Sequence, residues 1–420
     1  MDVKNVLNME VWLEEHLKLL NLTDELILPN GFTRLGYSEE EAQAMEVFKS
    51  IAIEMGLSVK KDFAGNMIAR WSPGNQPFKP ALAFGSHLDT VKGGGGYDGA
   101  AGVVCALGAV KKLKEEGFQP DRPIEVICFA SEESSRFGIS TIGSKAMAGI
   151  LNPEELENLQ DEEGITVKEA IELRGVKWEE MPQAERNISE LKSFVELHIE
   201  QGMRLENAGA DFGSVTAVAC PIRLKIKIVG RTGHTGTAPM GGRIDALVAT
   251  APLITFVAET AERLSIDNEY PIVATASTLA LQPNTFTAIP GSIELGIDIR
   301  SVDDALKNKM VSLIREKCSS ISEDLHVKIT INTLVNNASI MLSSELSQEL
   351  KKIGESLGYQ CLMMESGAGH DVMNMSRKWP SGLIFIRCKE GISHHPDEFA
   401  AIKDLSLGTN ILVEYIKRNV

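Results

Sequence analysis

Aromatic side chains, cysteine and positive charge are all scarce in this chain. Phe, Trp and Tyr make up 5% of its 420 residues, and 58 acidic residues outnumber 42 basic ones, for a formal net charge of −16. A surface of that sign repels phosphate backbones and anionic lipid, so neither nucleic acid nor a membrane is an expected partner. An anionic small substrate stays open, because a local pocket can oppose the global sign. No apolar run approaches the roughly 20 residues that span a bilayer. The six cysteines, Cys105, Cys128, Cys220, Cys318, Cys361 and Cys388, are scattered without a CxxC pair, several in apolar runs such as VICFA. They read as buried free thiols in a reducing compartment. The N-terminal MDVKNVLNMEVWLEEHLKLL is acidic and amphipathic and has no h-region of a signal peptide, so a cytoplasmic location is expected. GGGGYDGAAG lacks the GxGxxG spacing and a downstream acidic ribose partner, which argues against a dinucleotide site.

What is present is ordinary globular composition, 43% hydrophobic and 24% charged, in a chain longer than one core usually supports. Two domains are expected. Residues 8–20 and 38–56 read as amphipathic helices, and 67–71 as a strand. PALAFGSH, PIEVICFASEES (123–134) and SFVELHIEQG (193–202) are apolar runs that end in polar residues, and a helix over 99–117 separates the first two. Continuous apolar strands alternating with helices indicate a doubly wound α/β sheet covered on both faces. The texture changes at RLKIKIVG (223–230), whose strict alternation suits an antiparallel strand with one wet face. A helix over 243–264, strands IVATASTLALQ and SIELGIDIRS, a helix over 302–321 and strand HVKITINTLV complete a β-α-β-β-α-β order. That order predicts a ferredoxin-like α+β domain at 217–334, inserted into an α/β domain made of 1–216 and 335–420. The latter resumes with a helix at 343–357, a strand at 383–388 and a helix at 400–418.

Chemistry gathers at the ends of the apolar strands, where open α/β sheets bind ligands. In ALAFGSHLDTVKGGGGYDGAAG, residues 81–102, the strand ends in His87 and Asp89, and a glycine-rich loop leads to Asp98. With Glu133, His198 and His394, each after an apolar run or a glycine-rich turn, His87 and Asp98 form an N/O donor set. Asp98 is placed to bridge two metals, with His87 and His198 on one and Glu133 and His394 on the other. Three protein ligands per ion leave room for water, as catalytic sites do. Asp89 is placed to accept the second N–H of His87 and fix its tautomer. Glu132, beside Glu133 at the end of VICFA, is the candidate general base. His395 adjoins His394, and composition does not choose between them. His234 lies in the small-residue loop of GRTGHTGTAPM, where a lone histidine is usually just solvated. Arg300 ends a strand, either as the partner of Asp298 or as a bidentate grip on a carboxylate. ESGAGHDV (365–372) offers backbone N–H groups to an anion or is only a tight connection.

Taken together, GSHLDT, GGGGYDGAAG, FASEESSRFG, VELHIEQG, GRTGHTGTAPM, SGAGHD and ISHHPDEF resemble the amidase branch of the M20 metallopeptidase-like family, in order, from about residue 80 to 400. That branch contains N-carbamoyl-L-amino acid hydrolases, β-ureidopropionases and allantoate amidohydrolases. The resemblance implies two divalent ions per subunit (Zn²⁺, Mn²⁺, Co²⁺ or Ni²⁺), with His87, Asp98 and His198 on one and Asp98, Glu133 and His394 on the other. It implies Glu132 as the base and a homodimer through the inserted domain. There His234 reaches the partner subunit's site to stabilise the oxyanion, and closure of the inserted domain assembles the site. Arg300 matches the arginine that holds the substrate carboxylate, and Gln201 and Gly367-Ala368 match further substrate contacts. Thr287, in PNTFTAIPG, stands where the family often has a substrate-holding asparagine. Pro221 resembles the carbamoyl-amino-acid enzymes, where allantoate-cleaving relatives tend to carry glutamine. The expected reaction is hydrolysis of the ureido C–N bond of an N-carbamoyl-L-amino acid to the amino acid, ammonia and carbon dioxide, with allantoate hydrolysis or a peptidase activity as alternatives.

Overall fold

The strands that carry the expected ligands lie side by side in one sheet. The computed structural model describes residues 3–72, 74 and 79–420. Met1 and Asp2 of the acidic N-terminal segment lie outside the described residues. The chain forms two compact units. One comprises Met1–Thr216, Met341–Met364 and His370–Val420, and the other Ala217–Ile340 with Glu365–Gly369. Residues 335–340 and 365–369 thus pack with the second unit.

Thirteen strands are formed among the described residues: β1 Ser58–Lys61, β2 Met67–Trp71, β3 Ala81–His87, β4 Ile124–Phe129, β5 Leu191–Ile199, β6 Phe212–Val218, β7 Cys220–Val229, β8 Val273–Gln282, β9 Ser292–Ser301, β10 Lys328–Asn336, β11 Ile340–Met341, β12 Cys361–Ser366 and β13 Ser381–Ile386. The large sheet runs β1-β2-β4-β3-β5-β13-β6-β11, with β12 also on β6. At its centre β4, β3, β5 and β13 are parallel, so their carboxyl ends face the same way. The flanks are antiparallel, which makes the sheet mixed. β3 and β4 are buried at every position, as their largely apolar sequences lead one to expect, and the one charge inside β4, Glu125, is paired with Arg70 and Arg186. Helix Ala100–Glu115 opens on small residues because it packs tightly on the sheet, and Gly117 follows its end with φ +71°.

The second unit has the strand order β10-β7-β9-β8, in chain order of its own four strands 4-1-3-2. With helices Ala246–Asp267 and Asp304–Leu325, each N-capped by an aspartate (Asp245, Asp303), this is the ferredoxin-like arrangement. β7 alternates buried and exposed residues along its whole length, and its buried Ile222, Leu224, Ile226 and Ile228 pack with Leu253 and Val257 of the first helix and Met310 and Ile314 of the second.

Several elements differ from the sequence reading. β4 stops at Phe129, well short of residue 134, because Ser131 takes a left-handed conformation (φ +51°) that no strand continues through. β5 ends at Ile199, before Glu200 and Gln201. The acidic stretch 151–190, to which the sequence reading assigned no element, holds short helices, Pro153–Leu156 and Val167–Leu173, and two 3₁₀ segments. β12, CLMMES, has no β-branched residue, and in β6, FGSVTAV, Gly213 and Ser214 break the pattern, so neither announces itself.

Candidate metal centre and substrate-contact residues

His87 at the end of β3, Asp98 in the glycine-rich loop and His198 on β5 converge. His87 Nε2 lies 3.4 Å and His198 Nε2 3.0 Å from Asp98 Oδ1. The other oxygen of Asp98 faces a second group: His394 Nε2 is 3.4 Å from Asp98 Oδ2 and 3.2 Å from Glu133 Oε1. Two sets of donor atoms, each within coordination reach of one ion, therefore share Asp98. Four of the five side chains are buried, and His394 is about half exposed.

Local geometry fixes which imidazole nitrogen points inward. His87 Nδ1 is hydrogen-bonded to the backbone oxygen of Asp89 at 3.0 Å, and His198 Nδ1 to that of Ile199 at 2.9 Å. With Nδ1–H donated to a carbonyl, Nε2 presents a lone pair toward Asp98. The Gly99 N–H donates to His198 Nε2 at 3.3 Å, in keeping with that tautomer. A lone pair facing a carboxylate repels it unless a cation or proton lies between them, so the donor set fits divalent ions. Gly99 is fixed as glycine by the same packing: it has φ +63°, and a Cβ there would come within 2.6 Å of the His87 ring.

Protonation follows the same logic. Burial opposes charge on His87 and His198, yet Asp89 and Asp98 around the first, and Asp98 beside the second, hold both imidazoles above their ordinary value. Hydrogen bonds to Asp98 and Glu133 push His394 up to about 10. Burial lifts Asp98, but His198 and the other imidazoles outweigh it and pull it well below the usual carboxylate range. The pocket demands positive charge. Glu132, whose Oε2 lies 3.8 Å from His87 Nε2, is held well up by burial, and Glu133 is raised for the same reason.

Asp89 does more than the sequence reading gave it. Its carboxylate lies 3.3 Å from His87 Nδ1, farther than its own backbone oxygen, and it accepts the N–H groups of Glu132 (3.0 Å) and Glu133 (2.9 Å). Gln201 also sits among the candidate ligands: its Nε2 donates to Asp98 Oδ2 at 2.7 Å and lies 3.3 Å from His394 Nε2. Glu398 and Ser393 were not singled out from sequence. The buried Glu398 accepts the N–H groups of Tyr97 and Asp98, and Ser393 Oγ bridges Glu398 and Asp98 at 2.7 and 2.9 Å, tying the His394 loop to the Asp98 loop. The available signal was only the position of Glu398 in ISHHPDEF. His370 is buried edge-on against the His198 ring, 4.5 Å between centroids.

In the second unit the expected substrate contacts form two groups. His234 and Thr287 are exposed on adjoining loops, joined by a bridge between His234 and Ala288 and by a Thr235 N–H to Thr287 O bond of 3.1 Å. Arg300 lies opposite Pro221 on the paired strands, and its guanidinium donates to Asp298 at 2.8 Å and to Gly367 O at 3.1 Å. The loops of the first group join β9 at Ser292, so eight strand residues, roughly 26 Å, separate the two groups. Within the 365–372 turn the Ala368 N–H donates to Ser366 Oγ at 3.1 Å, as in a tight connection.

This is an α/β protein with a shared carboxylate–imidazole cluster at the strand ends of its sheet, the architecture of a hydrolase. The model of peptidase family M20/M25/M40 matches residues 69–418, and the chain belongs to that family. An N-carbamoyl-L-amino acid amidohydrolase of Geobacillus stearothermophilus is 36% identical over 91% of this chain and 92% of its own length. An allantoate amidohydrolase of Escherichia coli K12 is 33% identical over 91% of each. A hydantoinase/carbamoylase family amidase of Burkholderia ambifaria superposes with a TM-score of 0.85 at 27% identity, over 98% of this chain and 97% of that one. The chain falls in the amidohydrolase branch and is a hydrolase of non-peptide C–N bonds. No described helix is long and apolar enough to cross a membrane.

Proposed function

We propose that the protein hydrolyses the ureido C–N bond of N-carbamoyl-L-amino acids, releasing the L-amino acid, ammonia and carbon dioxide. The observation that carries this reading is Asp98, whose two oxygens serve two separate imidazole–carboxylate groups. His87, Asp98 and His198 would hold one divalent ion, and Asp98, Glu133 and His394 the other. Zn²⁺, Mn²⁺, Co²⁺ and Ni²⁺ all suit these donors. Bound there, such ions supply Lewis-acid activation of water and of the scissile carbonyl. Glu132, raised above the usual carboxylate range by burial, takes the proton of the attacking water and delivers it to the leaving nitrogen. Asp89 keeps Glu132 and Glu133 in place through their backbone N–H groups. Gln201 donates to the face of the cluster that substrate approaches.

Arg300, oriented by Asp298, holds the substrate carboxylate, with the Gly367-Ala368 turn beside it. Pro221, facing Arg300 across the strand pair, adds no polar group there, which favours a simple amino-acid carboxylate over the bulkier allantoate. His234 stabilises the oxyanion, and Thr287 keeps a hydrogen-bonding group there with a shorter reach than asparagine. The separation of some 26 Å between the Arg300 and His234 groups within one chain supports a homodimer in which His234 serves the partner's site. The surface of the second unit supports it too. Edge strand β8, VATASTLALQ, carries no charge, with Val273 57% and Leu279 48% exposed, whereas lone edge strands usually defend themselves with charges. Leu247, Val248 and Ile254 are exposed on the neighbouring helix.

Ammonia release from N-carbamoyl-L-methionine, allantoate and a dipeptide tests the reading. Turnover of the first is expected; turnover of allantoate alone would overturn the substrate class, and of the dipeptide alone the reaction class.

A further inference from the structure

The turn that bears Glu132 and Glu133 is held by a residue of the N-terminal helix Glu39–Glu54, which precedes the family match at residue 69. Glu41 on that helix is 2% exposed. One of its oxygens accepts the N–H of Ser131 at 2.8 Å, and the other accepts the N–H of Tyr37. Ser131 is the left-handed residue at which the chain leaves β4, a conformation that a serine holds only when its surroundings insist. The next two N–H groups, of Glu132 and Glu133, go to Asp89. Three consecutive amides are thus gripped by two buried carboxylates from different parts of the chain. Arg34 is the buried cation of this group, bonded to the Leu88 carbonyl that precedes Asp89 and to Asn21. The turn is also braced from behind, because a Cβ built on Gly36 would overlap the Ser131 side chain.

We infer that Glu41 is a positioning residue for the base: by holding the Ser131 N–H it fixes the strained turn that aims Glu132 and Glu133. This rests on the reading of Glu132 as base. Glu41 touches neither substrate nor ligand side chains, so its loss leaves substrate binding alone and misplaces the base. An error of about 1 Å there costs on the order of a hundredfold in rate.

The test uses the full-length, Mn²⁺-loaded protein with N-carbamoyl-L-methionine as probe, and hydrogen exchange of the peptide spanning 130–134. Glu41→Ala is expected to lower kcat about ten- to a hundredfold, leave KM within about twofold, and speed exchange in 130–134 while β3 and β5 stay protected. Glu41→Gln, which keeps one acceptor oxygen, recovers part of the loss. Gly36→Ala, which pushes the same turn from the other side, reproduces the kcat defect without touching Glu41, and it carries the test if Glu41→Ala does not fold. Met45→Ala, a packing lesion in the same helix, leaves the kcat of the folded fraction unchanged. Wild-type kcat and exchange in folded Glu41→Ala, or an equal kcat loss in Met45→Ala, would overturn the inference. The two readings fail separately: an active Glu132→Ala sinks the base, while the exchange of 130–134 still reports whether Glu41 holds the turn.

Discussion

In the first unit four of the five candidate ligands are buried and have a second partner that fixes them: a carbonyl for His87 and His198, Ser393 and Gln201 for Asp98, a backbone N–H clamp for Glu133; His394 is about half exposed. In the second unit His234 and Thr287 stand exposed on loops, and Arg300 is bonded chiefly to its strand neighbour Asp298. The contrast is one of timing. Ligands that must meet an ion at fixed distances are set in a dry frame when the chain folds. Groups that meet a substrate wait at the surface, and their geometry is completed by what binds them.

Four measurements separate the preset ligand frame from the groups that wait for substrate. The largest effect belongs to Glu132→Gln: about a hundred- to ten-thousandfold lower kcat with metal content by elemental analysis unchanged. Parallel loss of metal would mean that the residue belongs to the ligand frame. Next is complementation. Glu132→Gln and His234→Ala are each expected to be nearly inactive, but co-refolded together they regain up to about a quarter of wild-type activity, since half the dimers are mixed and each carries one intact site. No recovery would return His234 to its own subunit. Arg300→Lys keeps charge but loses the bidentate grip, so KM is expected to rise about tenfold with kcat far less changed; a pure kcat effect would move Arg300 into the chemistry. The smallest is a proton. In the metal-free protein His394, held at about 10, is protonated at pH 7, and the stability it contributes is complete below 6.5 and lost as pH rises through about 10. Coordination needs the neutral ring, so metal binding releases this proton, and affinity rises with pH in that range. Calorimetry in buffers of different ionisation enthalpy reads the release; its absence in wild type would contradict the assignment of His394.

The candidate cluster was legible because it obeys one local rule, a polar residue at the end of an apolar run or after a glycine-rich turn. Sequence spacing brings out His87, Asp98, Glu133 and His198 on that ground. It did not bring out the carboxylates that position them. Glu41, Asp89 in its second role, Glu196 and Glu398 act on backbone N–H groups far away in the chain, and any carboxylate can do that. Glu196 illustrates it: inside ELHIEQG it accepts from Ser86 and from the Val372 N–H, and nothing local marks it off from Glu200, which merely caps the short helix Arg204–Ala208. The fold was legible where burial leaves a pattern: near-continuous apolar runs in β3 and β4, strict alternation in β7. β12 escaped because it is only partly buried and leaves no period, and β6 because Gly213 and Ser214 interrupt its apolar run although nearly every position is buried.

Metal stoichiometry tests the shared role of Asp98 most directly. After chelation and reloading, wild-type protein is expected to hold two divalent ions per chain, His198→Ala and Glu133→Ala one each, and Asp98→Ala neither tightly. A wild-type chain that binds no metal and keeps its amidohydrolase activity under chelation, or an Asp98→Ala variant that retains both ions, would contradict it.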